Sequence, residues 1–307
     1  VRVGMRLGVK VGTLPLENPT ILASGILGVS PETMVRVLRG GAAAVVTKSI
    51  GSEPRHGHPT PTFVSLEAGF LNAMGIPNPG ADDFAPELRA LKARKGEGKV
   101  IVSIFGGGAE EFGKLAGKLS PHADAVELNL SCPHLKGYGV EIGRVPSLVR
   151  EVVAEVKRRA RCPVWAKLSP NVSDIVEVSR AAAEGGADAL VATNTIGAIA
   201  ISVEARRPVL SHGAGGLSGA PLKPIAMKAV FDIASELEIP VVASGGISTG
   251  RDLLEFVMAG ASAGQIGSAV VTRGEGVFKM VAAELAALLE AEGFANVEAA
   301  RGAALRR

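Results

Sequence analysis

The sequence is poor in cysteine. Its 307 residues contain two, Cys132 and Cys162. That number excludes a disulfide framework and points to a reducing compartment. Each cysteine stands alone, and His56, His58, His122, His134 and His212 share no metal-ligand spacing, so no zinc or iron–sulfur motif is present. Aromatic residues make up only 4%, and the net charge of +3 comes without a long basic block, which argues against nucleic acid as a partner. No run approaches the roughly 20 apolar residues that span a bilayer. The opening segment "VRVGMRLGVKVGTLPLENP" has no apolar signal core. The expectation is a soluble cytoplasmic protein with no membrane partner.

What is present is core-forming material. Hydrophobic residues reach 47% against 21% charged, enough for a large core. One grammar repeats: a helical pattern ends in Gly-Ala or a close variant, and a short apolar run follows. "RGGAAAVVTKS" (39–49), "SPHADAVELNLS" (120–131), "EGGADALVATNT" (184–195) and "MAGASAGQIGS" (258–268) read this way. Glycine caps the helix, and the apolar run reads as a buried parallel strand. Two more strands follow proline in "CPVWAKLSP" and "IPVVASGGIS".

Eight strands are expected near 19–24, 43–48, 100–105, 124–130, 163–168, 188–193, 240–244 and 263–267. Helical patterns fall at 31–40, 109–119, 146–160, 173–185, 222–237, 250–260 and near 275–292. Strand and helix in alternation imply a parallel sheet, and eight units favour one closed (β/α)8 TIM barrel over residues 1–307. The rival is a doubly wound open sheet, but no GxGxxG opens the first helix. Connections at 49–80, 131–145 and 195–221 are too long for simple turns. All follow strands, so in a barrel they insert at the C-terminal face, where active sites are built.

Side chains alternate along a strand. In "DAVELNL", Ala125, Glu127 and Asn129 share one face; in "PVWAKLS", Trp165 and Lys167 do. Lys48 ends "VVTKS", and Thr193, Asn194 and Thr195 end "ATNT". Lysine and asparagine at strand tips read as a pocket for an anionic, planar, hydrogen-bonding ligand. The plainer reading is lysines that snorkel to solvent at the rim. The last two strands end in Gly245-Gly246 and in Gly267-Ser268, where barrels often bind phosphate through backbone N–H groups. Turn geometry alone also accounts for such glycines. "HGAGGLSGAPLKP" (212–224) adds Gly219, in what reads as a flexible lid with a helix start at Pro221. His56-x-His58 lies in a Pro/Gly-rich loop and is expected at the surface. Cys162 opens a strand before Pro163 and reads as structural.

"TKS", "EPRHGHPTP", "LNAMGIPNPG", "ELNLSCPH", "AKLSPN", "TNT", "GGLSGAPLKP" and "SGGIS", in this order, resemble the class 1 dihydroorotate dehydrogenases nearly end to end. The resemblance implies an FMN enzyme of pyrimidine (UMP) biosynthesis that oxidises dihydroorotate to orotate, with one FMN per subunit. It assigns Cys132 as the base that takes the C5 proton while the C6 hydride goes to flavin N5. A thiol, with an ordinary pKa near 8.5, needs only a modest downward shift for that task. The resemblance assigns substrate contacts to Lys48, Asn72, Ala73, Met74, Gly75, Ile76, Asn129, Asn194 and Thr195. It assigns flavin contacts to Ser24, Lys48, Ser49, Asn129, Lys167, Thr193, Gly219, Gly245, Gly246, Gly267 and Ser268. Lys167 matches a lysine at the flavin N1/O2 edge, where reduction builds negative charge.

Departures stand at His134 and His58, where the family usually has asparagine. Ser103, with Phe105, stands where relatives often carry an asparagine near the flavin, so Ser103 is a weaker candidate for the cofactor contact. The cysteine base and the absent membrane extension favour class 1 over class 2. "EPRHGHPTP" and "SCPHLKGYG" resemble subclass 1B, which implies a dimer of this subunit joined to an electron-transfer subunit carrying FAD and a 2Fe-2S cluster, with NAD+ as acceptor. Alternatives are the fumarate-linked subclass 1A and a dihydropyrimidine (dihydrouracil) dehydrogenase. From another class comes a flavin-free barrel lyase with Lys167 as Schiff-base nucleophile.

Overall fold

The computed structural model describes residues 7–131 and 142–305. Eight parallel strands close into a barrel: β1 Thr20–Leu22, β2 Ala44–Val46, β3 Lys99–Ile104, β4 Ala125–Asn129, β5 Val164–Lys167, β6 Ala189–Ala192, β7 Val241–Ser244 and β8 Ala263–Ile266. Neighbours in sequence are neighbours around the barrel, and β8 pairs with β1 to close it. Seven strands lie within the ranges expected from the sequence, and β3 begins one residue earlier, at Lys99. The strands are almost wholly buried because helices cover their outer faces, as parallel sheets require.

The helices follow in turn: α1 Pro31–Arg39, α2 Ala81–Arg94, α3 Ala109–Leu119, α4 Pro146–Arg159, α5 Ile175–Glu184, α6 Lys223–Glu236, α7 Gly250–Met258 and α8 Val277–Ala291. Local chemistry sets their starts. Ser30 caps α1 by accepting from the Thr33 N–H, and Asp174 caps α5 through Val176 and Glu177. Thr249 and Asp252 form a reciprocal capping box at α7. Helix α2 was absent from the sequence expectation. Pro86 lies inside it, and an interior proline ordinarily marks a break. Here Phe84, Leu88 and Leu91 bury a continuous stripe that holds the helix against the core.

A short hairpin, Val9–Val11 with Leu14–Leu16, joins the core at the end where strands begin. Its turn residue Gly12, at φ +58, would bring a Cβ within 3.2 Å of the Asp188 carbonyl, just before β6.

At the opposite end, two of the three long connections pair with each other. Strands Ile196–Ala198, Gly215–Ser218, Phe70–Asn72 and Phe63–Ser65 form a four-stranded antiparallel sheet in that order. The glycine-rich segment expected as a flexible lid is therefore partly a strand, Gly215–Ser218, followed by a 3-10 turn and α6. Its glycines permit close stacking: a Cβ on Gly216 would meet Thr195 Oγ1 at 2.1 Å.

Candidate active site

The loops that follow the strands enclose a cavity of about 690 Å³ at the C-terminal end of the barrel. That size lies within the range of ligand and cofactor sites. Its lining joins the barrel strand ends to the four-stranded sheet.

Both lysines expected at strand tips are in this wall, and neither snorkels to solvent. Lys48 is 8% exposed and Lys167 is 6% exposed. Their surroundings differ. Lys167 Nζ donates to Gln265 Oε1 at 2.8 Å and stands 3.5 Å from Glu127 Oε1. Among the described residues, Lys48 has no carboxylate partner, and burial pushes its pKa below the ordinary lysine value. A buried ammonium without a counter-ion is costly, so Lys48 is prepared to receive an anion.

A chain of polar side chains links several strand ends. Ser103 Oγ and Ser49 Oγ lie 2.9 Å apart. Asn129 Nδ2 donates to Ser49 Oγ at 3.1 Å, and Asn194 Nδ2 donates to Asn129 Oδ1 at 3.2 Å. Asn194 Oδ1 then accepts from the Thr195 N–H at 2.8 Å. Period-two alternation delivers Asn129 here, and register puts it directly beside Lys167. Ser24 Oγ donates to the Thr47 carbonyl at 2.8 Å and also lines the cavity. Ser103 does not line the cavity. It is fully buried behind Ser49 and orients it.

The loop from Asn72 through Ala73, Met74, Gly75 and Ile76 forms another part of the wall. Asn72 Nδ2 donates to the Gly216 carbonyl. Ile76 has φ +52, which is uncommon for a β-branched residue. Asn78 holds this turn: its Nδ2 donates to the Ile76 carbonyl, and its Oδ1 accepts from the Gly51 and Gly80 N–H groups.

The ends of β7 and β8 present backbone. Gly219, Gly245, Gly246, Gly267 and Ser268 line the cavity, with Thr193 from the end of β6. Gly246, at φ +76, lies so close to α6 that a Cβ would meet Lys223 Cβ at 2.6 Å. Thr193 Oγ1 is buried without a hydrogen-bond partner among the described residues.

Cys132 and His134 lie outside the described residues. Ser131, directly before Cys132, lines the cavity, and its buried Oγ has no hydrogen-bond partner among the described residues. Cys162 is elsewhere, at the start of β5. Burial, with Asp124 adding to it, pushes its thiol up to about 12, so it is inert at neutral pH.

His58 departs from expectation. It is half-buried, lines the cavity and stacks on His212 with ring centroids 4.0 Å apart. Burial first, then His212 and Arg55, lower its pKa. The sequence reading also left Gln265, Asn171, Arg55 and Arg144 unassigned, although all line the cavity. For Gln265 a signal existed: it lies two residues before Gly267, on the same face of β8 by alternation.

The dihydroorotate dehydrogenase family model matches residues 6–289. A Pyrococcus abyssi protein named dihydroorotate dehydrogenase B (NAD(+)), catalytic subunit, is 53% identical over 300 residues, covering 98% of this chain and 99% of that one. A Methanosarcina mazei protein of the same name is 49% identical, covering 95% of this chain and 93% of its own. The crystal structure of Eimeria tenella DHODH in complex with ferulenol superposes with a TM-score of 0.85 at 25% identity, over 98% of this chain and 89% of that one. The polar strand ends, the closed barrel and these matches together show that the chain belongs to the dihydroorotate dehydrogenase family.

Proposed function

We propose that this protein is the FMN-binding catalytic subunit of a class 1B dihydroorotate dehydrogenase, oxidising dihydroorotate to orotate in pyrimidine biosynthesis. The observation that carries the reading is the joining of two buried lysines, a hydrogen-bonded asparagine chain and glycine-ended β7 and β8 around one cavity.

The residues present fit FMN. The β7 and β8 ends line the cavity with glycine backbone, and at Gly245 and Gly246 an added side chain would collide with its neighbours, which suits a phosphate held by N–H groups. Thr193 Oγ1 is a buried polar atom with no hydrogen-bond partner among the described residues, and a cofactor hydroxyl or phosphate would satisfy it. Ser24, Ser49, Thr193, Lys167, Gly219, Gly245, Gly246, Gly267 and Ser268 would hold the cofactor, with Lys48 and Asn129 reaching both cofactor and substrate. The flavin, when bound, supplies a hydride acceptor.

The chain's own groups do the rest. Lys48 binds the substrate carboxylate, and the anion offsets the cost of its burial. Asn72, the turn Ala73–Ile76, Asn129, Asn194 and Thr195 orient the planar ring through hydrogen bonds. The tie of Asn78 to Ile76 means that little ordering is needed on binding. Cys132 Sγ takes the C5 proton. Lys167 presents a cation where negative charge develops. Lys167 Nζ is tied to Gln265 beside the Glu127 carboxylate, which counts against its attacking a carbonyl as a Schiff-base nucleophile.

The acceptor is NAD+, reached through a partner subunit carrying FAD and a 2Fe-2S cluster, around a dimer of this chain. The names of the Pyrococcus and Methanosarcina relatives support this choice over fumarate. Among the described residues no set of three or more His, Cys, Asp or Glu could hold a metal. No helix among them is long and apolar enough to cross a membrane.

The test is anaerobic. The protein loaded with FMN should be yellow and should bleach with dihydroorotate but not with dihydrouracil. Colourless protein after FMN addition, or bleaching by dihydrouracil alone, would overturn the reading.

A further inference from the structure

The barrel interior contains a polar bridge that the roles above do not use. Glu127 on β4 is 0% exposed, and Gln265 on β8 is nearly as buried. These strands stand on opposite sides of the barrel. Gln265 Nε2 donates to Glu127 Oε2 at 2.5 Å, while Gln265 Oε1 accepts from Lys167 Nζ at 2.8 Å. Glu127 Oε1 takes no hydrogen bond among the described residues and faces the Lys167 ammonium at 3.5 Å. The amide orientation of Gln265 is set by its neighbours, since a carboxylate needs a donor and an ammonium needs an acceptor.

A barrel interior at this depth is ordinarily filled by Val, Ile or Leu. A buried ion pair generally stabilises a fold no better than apolar packing of the same volume. All three side chains border the cavity, so the Lys167 ammonium, placed and partly neutralised by the other two, acts on whatever lies there through a medium that screens poorly.

We propose that Glu127 and Gln265 are positioning residues that fix the Lys167 ammonium and set the reduction potential of a flavin held in this cavity, an inference that rests on the flavin reading of that cavity. Gln265 holds Nζ at one height and direction. Glu127 partly neutralises it, so the cation stabilises reduced flavin less than a lone lysine would. The bridge thereby poises the flavin to accept electrons and still pass them on.

The experiment is potentiometric titration of the FMN-loaded protein. Glu127→Gln keeps the shape and removes the charge. It should shift the midpoint potential to a more positive value. A tenfold gain in affinity for reduced over oxidised flavin corresponds to about 30 mV for a two-electron couple, and a shift of at least that size is expected. An unchanged or more negative potential with FMN retained would overturn the proposal. In a Lys167→Met background, adding Glu127→Gln should shift the potential far less. An equal shift there would mean that Glu127 acts on the flavin directly, and the positioning role would be wrong.

If Glu127→Gln folds but loses FMN, Glu127→Asp is measured in its place. It keeps the charge but withdraws it from Lys167, and a smaller shift of the same sign is expected; no shift overturns the proposal. Wild-type protein that takes up no FMN would defeat the flavin reading itself, an outcome distinct from a flavin whose potential ignores Glu127.

Discussion

The two walls of the cavity solve recognition in different ways. The wall from β2 to β6 uses side chains: Lys48, Ser49, Asn129, Lys167 and Asn194 at the ends of β2, β4, β5 and β6. The wall from β7 to β8 uses backbone, with Gly245, Gly246 and Gly267 leaving no side chain in the way. Side chains discriminate by charge and hydrogen-bond direction, so the first wall suits substrate and chemistry. Bare backbone suits a phosphate, which needs close N–H groups and little else. Loss of a substrate-facing side chain from the first wall should therefore cost mainly turnover, and damage to the second should cost mainly the cofactor.

The largest effect is expected at Cys132. Cys132→Ala should retain FMN and lose about 10²–10⁴-fold in kcat, the usual contribution of a general base. Cys162→Ala should leave kcat intact and lower stability by about 1 kcal/mol, the scale of a small buried truncation. Steady-state rates and thermal melts on both variants check this. Exchanged results would reverse the assignment of the two thiols.

Lys48→Met comes next. Removing a buried cation from an anionic substrate should weaken kcat/KM by about 10²-fold, as expected for a charged hydrogen bond of roughly 1.5–3 kcal/mol. Flavin absorbance should persist, because Lys48 is one of many groups proposed to hold the cofactor, and its loss would make the cofactor contact of Lys48 the dominant one.

Gly246→Ala probes the other wall. With φ at +76 and Lys223 Cβ 2.6 Å from the added carbon, the β7 end must shift. Strain of about 1–3 kcal/mol should weaken FMN binding about tenfold or more. Turnover of protein saturated with FMN should change little. A fall in kcat with unchanged FMN affinity would blur the division between the walls.

The smallest effect is at His58. Its folded pKa is depressed below 6.5, chiefly by burial and then by His212 and Arg55. Its neutral form is thus favoured in the folded state, and its contribution to stability is present above 6.5 and lost as pH falls through the lower folded value. Thermal melts from pH 8 to pH 5 should show wild type losing more than His58→Asn. Parallel curves would mean that the stack on His212 tolerates protonation.

The eight barrel strands were legible because each follows a helix-ending glycine or a proline and is apolar enough to be buried on both faces. Alternation then identified Asn129 and Lys167 as inward-pointing. Helix α2 was hidden by Pro86, whose local cost is outweighed by buried Phe84, Leu88 and Leu91. The sheet over the cavity was hidden for another reason. Its strands are three or four residues long and largely half-buried, so they carry no strong period. Asn72 and Gly216, bonded within that sheet, are 144 residues apart.

His58 illustrates the same limit. A histidine between glycine and proline looks like surface, and only the approach of the 210–215 segment brings His212 onto it.

By itself the sequence determined the strand–helix order and which side chains face inward, because both follow from local periodicity and capping. It also carried the family motifs, residue by residue. Only the tertiary structure decided which inward side chains meet. Gln265 is 98 residues from Lys167 and 138 from Glu127 in the chain. Barrel closure brings all three together, and no local pattern encodes where opposite strands will place their side chains across a shared interior.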